Sequence, residues 1–187
     1  CYSFAMLEGS RKNCAPAWEK NSILLKSDIL KELPQFNSLY VRLDGHGELI
    51  NKTHFINYLL ITEHNPKSTF SLFTKRYKLV KKVLETREKP RNLILVYSNP
   101  IKDRITDKKP QYFDKGFNTV TQENAQDNCT GRKCIECLAC YTHTGENVLI
   151  EKVAQPDLAY FRAWLGPFFI SSGPRRRILQ TVLVAVK

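Results

Sequence analysis

Four cysteines, Cys129, Cys134, Cys137 and Cys140, fall within twelve residues in the run CTGRKCIECLAC. A loop this short gathers four thiols around one centre at small conformational cost, and thiolates are soft donors suited to zinc or to iron–sulfur clusters. The spacing, C-x4-C-x2-C-x2-C, helps to choose between them. Zinc held by four thiolates usually takes two C-x2-C knuckles across a longer spacer, whereas closely spaced cysteine runs commonly hold iron and sulfur. The sequence therefore predicts a metal loop over 129–141 carrying an iron–sulfur cluster of the 4Fe–4S type, with zinc as the alternative and disulfides or inert thiols as a third reading. Gly131 permits a tight turn there, and Arg132 and Lys133 offset part of the thiolate charge. His143, three residues beyond Cys140, is expected at the surface because four cysteines already complete a ligand set. The other two cysteines, Cys1 and Cys14, stand alone, and a lone cysteine is more often buried than ligating.

A second group of polar residues is defined by the elements that would carry it. Between residues 39 and 99, short apolar runs alternate with helical patterns, the signature of βαβ units and a parallel sheet. Strands are predicted at 38–44 (SLYVRLD), 69–74 (TFSLFT) and 92–97 (NLILVY). A first helix starts from Asn51 or Thr53 and places Phe55, Ile56, Leu59 and Leu60 on one face; a second carries Tyr77, Val80 and Leu84 and stops before Pro90. The expected fold class is α/β, a partial parallel (βα) barrel or an open parallel sheet, followed by the four-cysteine loop. Ligand crevices in such folds form at the carboxyl ends of the strands. Those ends bring Asp44, His46, Thr74, Lys75 and Ser98 to one rim as candidate cofactor- or substrate-binding groups, with ordinary turn chemistry as the competing account of each. A basic loop over 100–117, a fourth strand at 117–120 (FNTV) and a last strand or short helix at 147–153 complete a domain over 1–153. Residues 154–187 fit neither period and form a tail, either a covering element or foreign sequence.

Composition bounds the partners. The chain has 187 residues, 42% hydrophobic and 25% charged, which is globular rather than disordered or membrane-embedded. The apolar run at 178–186 is too short to span a bilayer. Cysteines clustered for metal ligation rather than spread for stapling favour a reducing, cytoplasmic compartment. Much of the net charge of +11 lies in 67–115, where 14 Lys/Arg face five Asp/Glu. That patch is either a solvated helix face with a basic loop or a track for nucleic-acid phosphates. The chain opens on Cys1 with no leader pattern, so further residues are expected upstream.

Several segments together resemble the phage gene product 88 family and, more loosely, the radical S-adenosylmethionine enzymes. They are CYSFA at Cys1 to Ala5, the pair Lys20 and Asn21, YVRLDGHGEL at 40–49, FSLFTK at 70–75, NLILVYS at 92–98 and CTGRKCIECLACY at 129–141. The opening Cys1 is similar to the end of a cysteine motif whose earlier members lie upstream. The radical-enzyme resemblance implies a 4Fe–4S cluster at that motif which binds and reductively cleaves S-adenosylmethionine in a full-length protein, leaving Cys129 to Cys140 for an auxiliary cluster. Where the family reads Gly-Asp and then an aromatic residue, this chain has Asp44-Gly45-His46-Gly47.

Overall fold

The computed structural model of the chain describes residues 12–45, 47–121, 127–129, 133–153 and 184–186. Its helices are α1 (Ala15–Ser27), α2 (Lys52–His64) and α3 (Tyr77–Leu84), and its strands are β1 (Tyr40–Leu43), β2 (Thr69–Thr74), β3 (Leu93–Ser98), β4 (Lys115–Val120), β5 (Val148–Lys152) and β6 (Val184–Val186). The strands form one sheet in the order β5-β4-β3-β2-β1-β6. Strands β1 to β5 run parallel, and β6 closes the β1 edge antiparallel.

The α/β class and the parallel sheet are as the alternation predicts. Because β1, β2 and β3 are neighbours in chain order, the two crossovers that carry α2 and α3 return on the same side of the sheet. The helices therefore share one face, and no reversal of strand order creates the crevice of a doubly wound sheet. On the helical face, Val41, Leu43, Phe70, Leu72, Leu93 and Leu95 meet Leu25 of α1, Phe55, Tyr58, Leu59 and Ile61 of α2, and Val80, Val83 and Leu84 of α3.

Helix α2 begins as expected, with the Asn51 side chain accepting from His54 N at 2.9 Å, a standard N-cap. It lies between α1 and α3 on the sheet, so its buried surface is wider than one stripe and takes in His54, Asn57, Tyr58, Ile61 and Thr62. Helix α3 ends at Leu84, well before Pro90, where Thr86 Oγ1 donates to the Val83 carbonyl at 3.1 Å. Its Val80, Val83 and Leu84 turn inward while Lys78, Lys81 and Lys82 stay exposed.

Helix α1 was not foreseen. Trp18, Ser22 and Leu25 form its buried face, but a serine interrupts the apolar spacing, while Ile23 and Leu24 are 50% and 58% exposed. The chain that follows has no regular structure and is fastened by asparagines. Asn57 Oδ1 accepts from Leu30 N at 2.9 Å, and its Nδ2 donates to the carbonyls of Leu25 and Asp28, both at 2.8 Å. Asn65 does the same for Phe36 N, Pro34 O and Ile61 O. These amides supply partners that a strand or helix would otherwise provide.

The fourth strand starts earlier than FNTV, at Lys115, and the 147–153 segment is a strand. In the tail, Val184–Val186 pairs with Tyr40, Val41 and Arg42 of β1; residues 154–183 lie outside those described, as do Cys1 and His46. Among the described residues, no helix is long and apolar enough to cross a membrane.

Candidate metal centre

The cysteines lie on the connection from β4 to β5, and that connection covers the sheet face opposite the helices. Residues 127–129 run beside β5: Asn128 Nδ2 donates to Val148 O at 2.9 Å, Asn128 Oδ1 accepts from Ile150 N at 2.8 Å, and Cys129 N donates to Ile150 O at 3.0 Å. A parallel bridge to Glu151 fixes Cys129 at the outer edge of that strand. Cys134 and Cys137 occupy a single helical turn, where residues three apart are neighbours. Leu138 ends the turn in the left-handed region, φ 54°, and reverses the chain into a 3-10 turn at Ala139–Tyr141. That turn lies against β2 and β3, and the Tyr141 ring meets Tyr40 of β1 edge-on at 5.4 Å. The described parts of the connection thus meet the sheet at β5, at β2 and β3, and at Tyr40 of β1.

Its exit is clamped by Lys115, 1% exposed, whose Nζ donates to the carbonyls of Thr144 and Glu146 at 3.0 Å each. Burial holds the Lys115 ammonium below the usual lysine range. His143 is tied to the Arg91 carbonyl at 2.8 Å and to Asp114 at 3.4 Å, and its side chain is half-exposed. It sits on the surface.

Of the four cysteines of the cluster, Cys134 and Cys137 are exposed, and Cys129 and Cys140 half-buried. Burial pushes the Cys140 thiol up to about 12, Arg42 pulls it back, and Cys134, Cys129 and Cys137 push it further. Cys134, Cys129, Cys137 and Arg42 thus each act on the Cys140 thiol. Among the described residues, however, no three His, Cys, Asp or Glu side chains are arranged to hold a metal ion. The donor chemistry fits zinc or iron–sulfur.

At the carboxyl ends of the strands, the predicted rim is divided. Thr74 Oγ1 donates to Glu48 Oε1, Lys75 N donates to Glu48 Oε2 at 2.9 Å, and Leu49 N donates to Oε1 at 2.9 Å. Glu48, which sequence reading passed over, thus joins the β1 and β2 ends. Asp44 turns into the helical layer, where its Oδ1 accepts from Tyr58 Oη at 2.7 Å and lies 3.9 Å from His54 Nε2. Since His54 Nδ1 accepts from Ile50 N at 3.3 Å, the ring proton belongs on Nε2. Burial lowers the His54 pKa to about 4, so His54 and Asp44 are a neutral ring beside a carboxylate rather than an ion pair. Ser98 is half-buried at the end of β3, beside Asn99, whose Nδ2 donates to Asn118 Oδ1 at 2.9 Å. Thr74 and Lys75 of the predicted rim share the partner Glu48.

The gene product 88 family model matches residues 1–127, more than half of the 187-residue chain. The chain belongs to the gene product 88 family. In this gene product 88 protein, the match takes in α1 to α3 and β1 to β4 but stops short of Cys129, so the cysteine loop lies outside it. No match to a curated protein or to a solved structure is found.

Proposed function

We propose that this gene product 88 protein is a metalloprotein whose centre is ligated by Cys129, Cys134, Cys137 and Cys140, with an iron–sulfur cluster favoured over zinc. The observation that supports this reading is the path of the β4–β5 connection. A backbone bridge at Cys129, one helical turn bearing Cys134 and Cys137, and a left-handed reversal before Cys140 set the path of the short connection that carries all four thiols. When bound there, a 4Fe–4S cluster would supply one-electron transfer, and zinc would supply structure alone. The chain's own contribution is the scaffold: β5 fixes one end of the loop, Lys115 the other. The finer reading, a radical S-adenosylmethionine type of reaction, rests on the N-terminal resemblance at Cys1 and would make this centre an auxiliary one.

Anaerobic purification followed by iron, zinc and sulfide analysis, on the parent chain and Cys137→Ser, tests the proposal. Iron with acid-labile sulfide and a broad visible absorption, both lost in the variant, is the expected result. One colourless zinc per chain would select the alternative and turn attention to the exposed Lys75, Arg76, Lys78, Lys81 and Lys82 at and along α3 as phosphate contacts, where duplex binding would fall with salt at a log–log slope of about −0.9 per neutralised phosphate. A protein that takes up neither metal rejects the centre.

A further inference from the structure

Arg42 is a charged residue in the middle of β1, on the sheet face that the helices leave uncovered. Its guanidinium carbon lies 4.1 Å from the centroid of the Phe73 ring, and Phe73 packs edge-on against Phe117 at 5.3 Å, so the group is held in place by stacking. Its Nε is buried without a hydrogen-bond partner among the described residues. So is Oγ of Ser71, which is in register with Arg42 on β2 and fully buried. Buried donors of this kind are costly unless an acceptor meets them. Glu151, on the same face, senses the Arg42 charge, yet no ion pair joins the two among the described residues.

What faces Arg42 is the cysteine loop. The 3-10 turn that carries Cys140 lies against β2 and β3, and Tyr141 stacks on Tyr40, which precedes Arg42 on the same side of β1. A centre with four thiolates carries net negative charge whether zinc or an iron–sulfur cluster fills it, and a partly buried anion requires a cation and N–H or O–H donors nearby. We propose that Arg42, with Ser71 beside it, is the counter-cation and hydrogen-bond donor of the four-thiolate centre. It is a positioning residue that balances the centre's charge from the sheet while the four cysteines supply the ligands. The inference rests on the metal-centre reading and adds to it a residue far from the cysteines in sequence.

Cobalt(II) serves as the probe, because its thiolate-to-metal and d–d absorption bands report a four-sulfur site whichever metal is native. The reduced, metal-free full chain is titrated as parent, Arg42→Met, Arg42→Lys and Cys137→Ser, with affinity obtained by chelator competition. Arg42→Met is expected to weaken cobalt binding about 10- to 100-fold while keeping the four-sulfur spectrum at saturation, and Arg42→Lys to recover most of the loss. A merely structural role would not be rescued by the lysine. Equal affinity in parent and Arg42→Met, alongside an altered spectrum in Cys137→Ser, overturns the role of Arg42 and leaves the centre standing. Absence of thiolate-to-cobalt absorption in the parent removes the centre and Arg42 with it. If Arg42→Met does not fold, Arg42→Gln carries the same comparison.

Discussion

His54 shows how burial, rather than a charged neighbour, decides a protonation state in this protein. The ring is fully buried, and the Asp44 carboxylate at 3.9 Å is beyond hydrogen-bonding distance, so desolvation prevails and the pKa falls to about 4 from an unfolded value near 6.5. Tyr58, whose hydroxyl donates to Asp44, is pushed well above its ordinary value by burial and then by the carboxylate, so it stays neutral throughout the working range. The sign follows from proton counting: between pH 4 and 6.5 the unfolded chain binds a proton at His54 that the folded chain does not. Stability from this site is full above about pH 6.5 and is lost as pH falls toward 4, a change of about 3 kcal/mol over the window. Urea denaturation of the metal-free protein at pH 7.5 and pH 5 should show about 2 kcal/mol of that loss, and His54→Gln should flatten it. A variant with the parent's pH slope would assign the acid sensitivity to other groups.

The elements carry a second lesson, in the asparagines of α2. Asn57 is fully buried and provides three hydrogen bonds to the chain leaving α1. Truncation strands those backbone groups, each costing about 1–3 kcal/mol where water cannot replace the bond. Asn57→Ala is therefore expected to destabilise by about 3 kcal/mol and to loosen α1 selectively, measurable as a lowered urea midpoint with reduced Trp18 fluorescence change on unfolding. Little of this was legible in the sequence, because a polar residue on a helix reads as solvent-facing until the segment it binds is known. What could be read were features with a local cause: the β1, β2 and β3 runs, the Asn51 cap, the basic outer face of α3 and the cysteine spacing. Helix α1 escaped because Ser22 breaks its stripe, and Glu48 because two of its three donors, Thr74 Oγ1 and Lys75 N, lie at the end of β2, beyond helix α2. Arg42 did leave a signal, a charge inside an otherwise apolar strand, but its meaning depends on the loop that folds over it from more than ninety residues away.

At the scale of the whole molecule, stability is unevenly divided. Among the described residues, the main hydrophobic cluster draws on α1 to α3, β1 to β3, Leu49 and Phe113, and takes no residue from β4 or β5. Strand β5 instead depends on β4, on the run at 127–129 and on the loop that Lys115 clamps. A ligand that binds only the folded loop stabilises it by mass action, about 4 kcal/mol at a thousandfold excess over its dissociation constant. That contribution should reach the elements joined to the loop and stop where the core begins. Hydrogen exchange on metal-loaded and chelator-treated protein is the appropriate measurement. Protection is expected to fall at Leu149, Ile150 and the 133–141 turns on chelation, while amides of Phe70, Leu72, Leu93 and Leu95 exchange as before. Uniform loss across the sheet would mean that the loop and core unfold as one unit, and unchanged exchange at β5 would mean that the thiols contribute nothing to the fold they cover.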